Sequence, residues 1–145
     1  METVNVGGDV VSSVAVGETF FLRAIVDDLR TDGDGVFSAY VDVAFDDDLA
    51  SVDGALTFGA DYVNAREGNT TTPGLIDEAG AVADSGALGG EPALLFSVPM
   101  TANAVGELVL ASNAAELQPE HEVTLYNFNN PVDLSLIDFG TATIN

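Results

Sequence analysis

Apolar and polar positions alternate most cleanly between Phe37 and Phe45. Phe37, Ala39, Val41, Val43 and Phe45 fall on one side of that run, and Ser38, Tyr40, Asp42 and Ala44 on the other. Side chains of a strand point alternately to its two faces, so this pattern predicts a β-strand with an apolar face and a presented face. It stops at Asp46-Asp47-Asp48, and Leu49 and Val52 resume the apolar thread. A second long alternation, Leu94 to Ala102, places Leu94, Phe96, Val98, Met100 and Ala102 together and leaves Leu95, Ser97, Pro99 and Thr101 opposite. Proline has no N–H to give to a ladder, so Pro99 implies an edge strand or a bulge.

Shorter signals fill the remainder. Val10-Val11 and Val14-Ala15-Val16 are first strand signals, and Thr19–Val26 is apolar on both faces apart from Arg23, as in a strand covered on both sides. Leu56-Thr57-Phe58, Leu75–Val82, Glu107–Ala111, Val123–Tyr126 and Leu134–Ile144 read as further strands, the last broken at Phe139-Gly140. Gly59 to Gly74 lacks periodicity and reads as a long surface loop. Asp-Gly pairs and other turn residues punctuate the chain. No stretch carries helical periodicity beyond about two turns. The pattern predicts an all-β domain: a two-sheet antiparallel β-sandwich, jelly-roll-like, with about nine strands. The whole span 1–145 reads as a single module excised from a longer protein.

Composition narrows the function classes. Nearly half the residues are hydrophobic, enough for a core, yet 24 acidic residues face only 3 basic ones, for a net charge of −21. The resulting field repels nucleic acids and anionic membranes. It suits a medium rich in salt or divalent cations and points to a secreted or cell-surface setting. With no cysteine, disulfides and thiolate metal sites are excluded. No apolar run is long enough to insert into a membrane.

Catalytic patterns are thin. The single histidine, His121, sits between Glu120 and Glu122 in a polar stretch and reads as an exposed loop residue; no G-x-S-x-G elbow accompanies it. Carboxylate pairs carry no information in so acidic a chain, and there is no Trp to form a sugar platform. The expectation is therefore no enzyme. Asp27, Asp28, Asp32 and Asp34 cluster in one loop and are candidate calcium ligands, since hard cations take several carboxylate oxygens. The same aspartates also serve as ordinary turn residues. Arg30 and Ala39 break the EF-hand pattern that begins at Asp28. Asn69-Thr70-Thr71 matches the glycosylation acceptor triplet. No cofactor is required, calcium being the one candidate. What remains is a surface: Ser38, Tyr40 and Asp42 on the first long strand, with Leu95 and Ser97 on the second, form a candidate partner-binding face of mixed character.

The order of these features resembles a cohesin, the β-sandwich with which scaffolding proteins hold dockerin-bearing partners. The resemblance rests on VAVGETFFLRAIV (14–26), on GVFSAYVDVAFDDDL (35–49), on the 94–110 pair with its Ala104-Val105-Gly106 turn, and on IDFGTATI (137–144). It departs at Asp47, where proline is usual. It implies a non-catalytic module binding a dockerin-like protein through the face bearing Ser38 and Tyr40, with help from Leu75–Val82 and the outward side of Leu94–Ala102. Two other readings stay open: a carbohydrate-binding sandwich taking a polysaccharide, and a calcium-stabilised structural or adhesive spacer.

Overall fold

A computed structural model describes all residues 1–145. Eleven strands follow in order: β1 Glu2–Val4, β2 Thr19–Val26, β3 Val36–Ala44, β4 Ala50–Val52, β5 Thr57–Phe58, β6 Asn64–Asn69, β7 Leu75–Val82, β8 Ala93–Ala102, β9 Leu108–Ala114, β10 Thr124–Leu125 and β11 Thr141–Ile144. Every pairing is antiparallel. One sheet has the order β1-β2-β8-β4 with β5 also on β8; the other runs β11-β9-β3-β7-β6 with β10 also on β3. This is the expected two-sheet sandwich. Apolar side chains of both inner faces form one core, with Phe20, Leu22, Phe96, Val98 and Met100 from the first sheet meeting Val43, Ile76, Leu110 and Ile144 from the second.

Several local expectations are corrected. Val10 forms only an isolated bridge to Val4, and Val10 and Val16 are exposed, so the first strand lies at Glu2–Val4 instead. The span 59–74 is not all loop: Asn64–Asn69 pairs with β7 as a fully exposed edge strand. An edge strand with one solvated face and no inward apolar set leaves no hydrophobic pattern to read. Leu134–Leu136 is a 3₁₀ turn capped by Asp133, and the final strand begins at Thr141. Leu75–Val82 is a strand, as its glycine flanks suggest.

β8 is central rather than an edge. Pro99 is accommodated there because its carbonyl accepts from the Asp53 amide at 2.9 Å. Within a strand a residue's nitrogen and carbonyl point the same way, so the missing N–H faces the turn between β4 and β5, where no ladder donor is needed. A bulge lies four residues earlier. Ala24 pairs with Phe96 but Ile25 pairs with Leu94, which leaves Leu95 as the extra residue. Leu95 and Phe96 are both wholly buried. The alternation that predicts an outward Leu95 is broken by this bulge.

The β3 strand is buried on both faces. Ala39 and Val43 enter the core, while Ser38 and Tyr40 on the opposite face are also buried. Room for the Tyr40 ring comes from Gly80 on β7, where an added Cβ would lie 2.0 Å from the Ala39 carbonyl oxygen and 2.7 Å from the Tyr40 ring. Gly80→Ala is therefore expected to cost about 3 kcal/mol through forced separation of β3 from β7. Urea unfolding of the variant beside the parent measures this, and a loss below about 1 kcal/mol would show that the strands can part without strain.

Candidate functional site

The most organised polar cluster lies on the outer face of the second sheet. It starts with an irregularity in β7. Val41 pairs with Ala79 and Val43 with Ile76, so Asp77 and Glu78 together oppose Asp42. This is a β-bulge, and Glu78 sits at φ 52°, a left-handed conformation unusual for a non-glycine residue. Its amide donates to Asp42 Oδ1 at 2.8 Å. The Glu78 side chain is thereby aimed at the segment that follows β9.

That segment, residues 115–123, crosses the sheet as a strap. The backbone amides of Glu116 and Leu117 donate to Glu78 Oε1 at 2.5 and 2.9 Å. His121 Nδ1 meets Glu78 Oε2 and its Nε2 lies 3.3 Å from Glu67 Oε2 on β6. The imidazole stacks on the Tyr40 ring, with centroids 4.1 Å apart and planes 8° off parallel. The Tyr40 hydroxyl donates to the Ala65 carbonyl at 2.5 Å. Ser38 Oγ donates to the Glu122 carbonyl at 2.9 Å and lies 2.7 Å from Thr124 Oγ1. A carboxylate only accepts, so both histidine contacts are made together only when both ring nitrogens carry protons. His121 is thus a buried clip joining β3, β6, β7 and the strap, not an exposed loop residue. Sequence reading misses it because its partners are 43 and 54 positions away (Glu78 and Glu67).

Charges respond to this setting. Burial opposes ionisation of Glu78, but the hydrogen bonds from His121 and from the Glu116 and Leu117 amides outweigh it and hold the carboxyl below its ordinary range. Asp42 is pushed the other way, first by burial and then by the carboxylates of Glu78, Asp77 and Glu116, against the Glu78 amide. The Tyr40 hydroxyl is also raised, by burial and then by Glu67. Asp42, Asp77 and Glu78 offer three carboxylate oxygens within 4.8 Å of one another.

The predicted site residues do not form one surface. Ser38 and Tyr40 lie under the strap, and Asp42 is half-buried beside the bulge. Leu95 is in the core, and Ser97 belongs to the other sheet, on the opposite side of the sandwich. The expectation that β3 and β8 present a common face is therefore corrected, since their backbones hydrogen-bond into different sheets. The four loop aspartates are likewise not gathered. Asp28 is buried and takes a bidentate contact from Arg30, 2.8 Å to Nε and 2.5 Å to Nη2, with the Gly35 amide at 3.2 Å. Those bonds, led by the Arg30 side chain, hold its carboxyl below the usual range. Asp34 is engaged by the Asn127 side chain, and Asp27 and Asp32 are exposed. The Asp46–Asp48 run is a turn in which Asp46 Oδ1 accepts from the Asp48 amide at 3.0 Å.

What stays open on the outer face of the second sheet is a strip beyond the strap. Register places Asp42 opposite Asn113, Ala44 opposite Ala111 and Leu75, and Val109 opposite Thr143. Asp77 and the exposed β6 strand extend the strip to the sheet edge. None of the chain's tyrosines joins it, because Tyr40, Tyr62 and Tyr126 are all buried.

Among solved structures, the complex of CaCohA2 with a variant of CaDoc0917, crystallised at pH 5.5, contains a chain that superposes with a TM-score of 0.61 over 92% of this chain and 94% of its own length. The fold is cohesin-like. At 18% identity the likeness lies in the sandwich itself and not in shared side chains. No family model matches the chain, and no curated protein matches its sequence. In this cohesin-like sandwich, the strap that Glu78 holds covers Tyr40 on β3.

The depressed Glu78 carboxyl fixes the sign of a pH effect. Its contribution to stability is fully present above its ordinary value of 4.5 and drains away as the pH falls through its lower folded value. Glu78→Gln is expected to lose about 3 kcal/mol near neutrality, with the deficit against the parent shrinking below about pH 4. Denaturant unfolding of both proteins from pH 3 to 7 (a range of about four units) checks this. A deficit that does not change across the series would show that the carboxylate charge is not what holds the strap.

Proposed function

We propose that this chain is a non-catalytic, dockerin-recognising module of a secreted or cell-surface protein. The single observation that carries the proposal is the superposition on CaCohA2, a chain solved in complex with CaDoc0917, over nearly the full length of both sandwiches. The partner docks on the open strip of the second sheet, around Asp42, Asp77, Ala111 and Asn113. The strip supports this reading because it combines small side chains with fixed hydrogen-bonding groups on paired strands, a rigid platform that need not reorder on binding. The polysaccharide reading has no comparable support. Its aromatic platform would need several exposed rings, whereas all three tyrosines are buried and Phe128, the one exposed phenylalanine, carries Arg30 over its ring.

Calorimetric titration against dockerin modules encoded in the same genome tests the proposal. Binding is expected with at least one of them. Asn113→Arg and Asp77→Arg, which place bulk and charge at the centre of the strip, are expected to weaken it about tenfold or more. Ser97→Arg, on the opposite face, is expected to leave it unchanged. Failure to bind any dockerin, or equal loss from Ser97→Arg, would overturn the assignment. Hits confined to a glycan array would transfer it to the carbohydrate-binding class.

A further inference from the structure

A second surface lies away from the strip, at the edge where the two sheets part. The end of β2 and the loop after it, residues 24–30, form one wall, and the chain from Val132 to Gly140 forms the other. Between them is a groove of about 520 Å³, behind which lie the buried core residues Val36, Ala39 and Leu95. A volume of that size matches a ligand-sized recess.

The walls are apolar and unusually uncovered. Leu29 is 82% exposed and Leu136 79%, facing the groove from opposite sides, with Ile25 beside them at 37%. Single exposed leucines are ordinary, but a convergent set around a concave apolar groove marks an interaction site. The rim is acidic. Asp27 and Asp138 are exposed there; Met1 brings its amino group to the lining, and the one cationic side chain in it, Arg30, is already bound to Asp28 and lies 4.5 Å above the Phe128 ring. The chain has only two other basic residues, and neither lines the groove.

We propose that the groove receives a basic peptide segment of a partner protein, one large apolar side chain seated against Ile25, Leu29 and Leu136, with flanking lysine or arginine against Asp27 and Asp138. Charge complementarity selects this occupant. A second copy of this chain would bring another acidic rim and a net charge of −21, and an anionic membrane is repelled in the same way. The groove opens at the sheet edge between the two layers, so it is separate from the outer strip and does not depend on the dockerin reading.

The absence of tryptophan from this chain makes the test direct. The probe is the synthetic peptide Lys-Lys-Trp-Leu-Lys-Lys, titrated at about 150 mM salt so that general attraction is screened. Expected are a saturable blue shift of its fluorescence and one-to-one stoichiometry by calorimetry. The double variant Leu29→Ser, Leu136→Ser is expected to bind about tenfold or more weakly, while Val105→Ser, at an exposed apolar position on a distant turn, binds as the parent does. Equal binding of a Lys-Lys-Ser-Ser-Lys-Lys control, or no loss in the double variant, would overturn the proposal. Amide-shift mapping on the unaltered protein gives an independent decision: changes centred on residues 24–30 and 132–140 support it, and changes elsewhere, or none, overturn it.

Discussion

The contact on which the outer face depends is the Glu78 carboxylate bound by two strap amides and the His121 ring. A buried carboxylate is costly unless its lone pairs are filled, and here they are filled by groups that the strap alone supplies. The strap is polar and irregular, with Glu116 and Glu120 turned to solvent, and besides Glu78 it is held by the His121–Tyr40 stack, Glu67 and Ser38. Each side therefore satisfies a cost that the other would otherwise bear. The bulge in β7 is what makes the meeting geometric, because it lifts Glu78 out of the ordinary alternation and turns it toward residues 115–121.

This arrangement decides which part of the sandwich is available to a partner. Tyr40, an aromatic at the middle of a central strand, would be an attractive anchor on an open sheet. Under the strap it becomes an internal stacking surface, and Gly80 opposite it is needed to make space. What the strap leaves uncovered lies toward β9 and the free edge at β6. The same logic of covered and uncovered edges shapes the groove. The long return from β10 to β11 spans the gap between the sheets without filling it, which leaves leucines exposed in front of core residues.

Much of the architecture was legible without coordinates. β2, β3, β7 and β8 lie where alternation and turn residues place them, because period-two patterning and the burial of one face are local properties. The inward set Phe96, Val98, Met100 and Ala102 follows the same rule. The elements that escaped are those without such a pattern: β6 has no buried side chain, and β1 has only three residues. Leu95 escaped because a bulge reverses alternation without any mark in composition. The aspartate loop illustrates a different failure. Its charge was plain, but the pairing of Asp28 with Arg30 depends on how the turn closes.

The sequence by itself determined the class of fold, the position of the long strands and the exclusion of disulfide chemistry, since these follow from periodicity and composition. Tertiary structure decided which faces are free. That choice turned on which sheet each strand joined and on contacts such as Glu78 with His121, Glu67 with His121 and Ser38 with Glu122. Burial of a strand's second face is a property of whatever chain folds over it, and a hydrogen bond between residues far apart in sequence leaves no local pattern from which to read it.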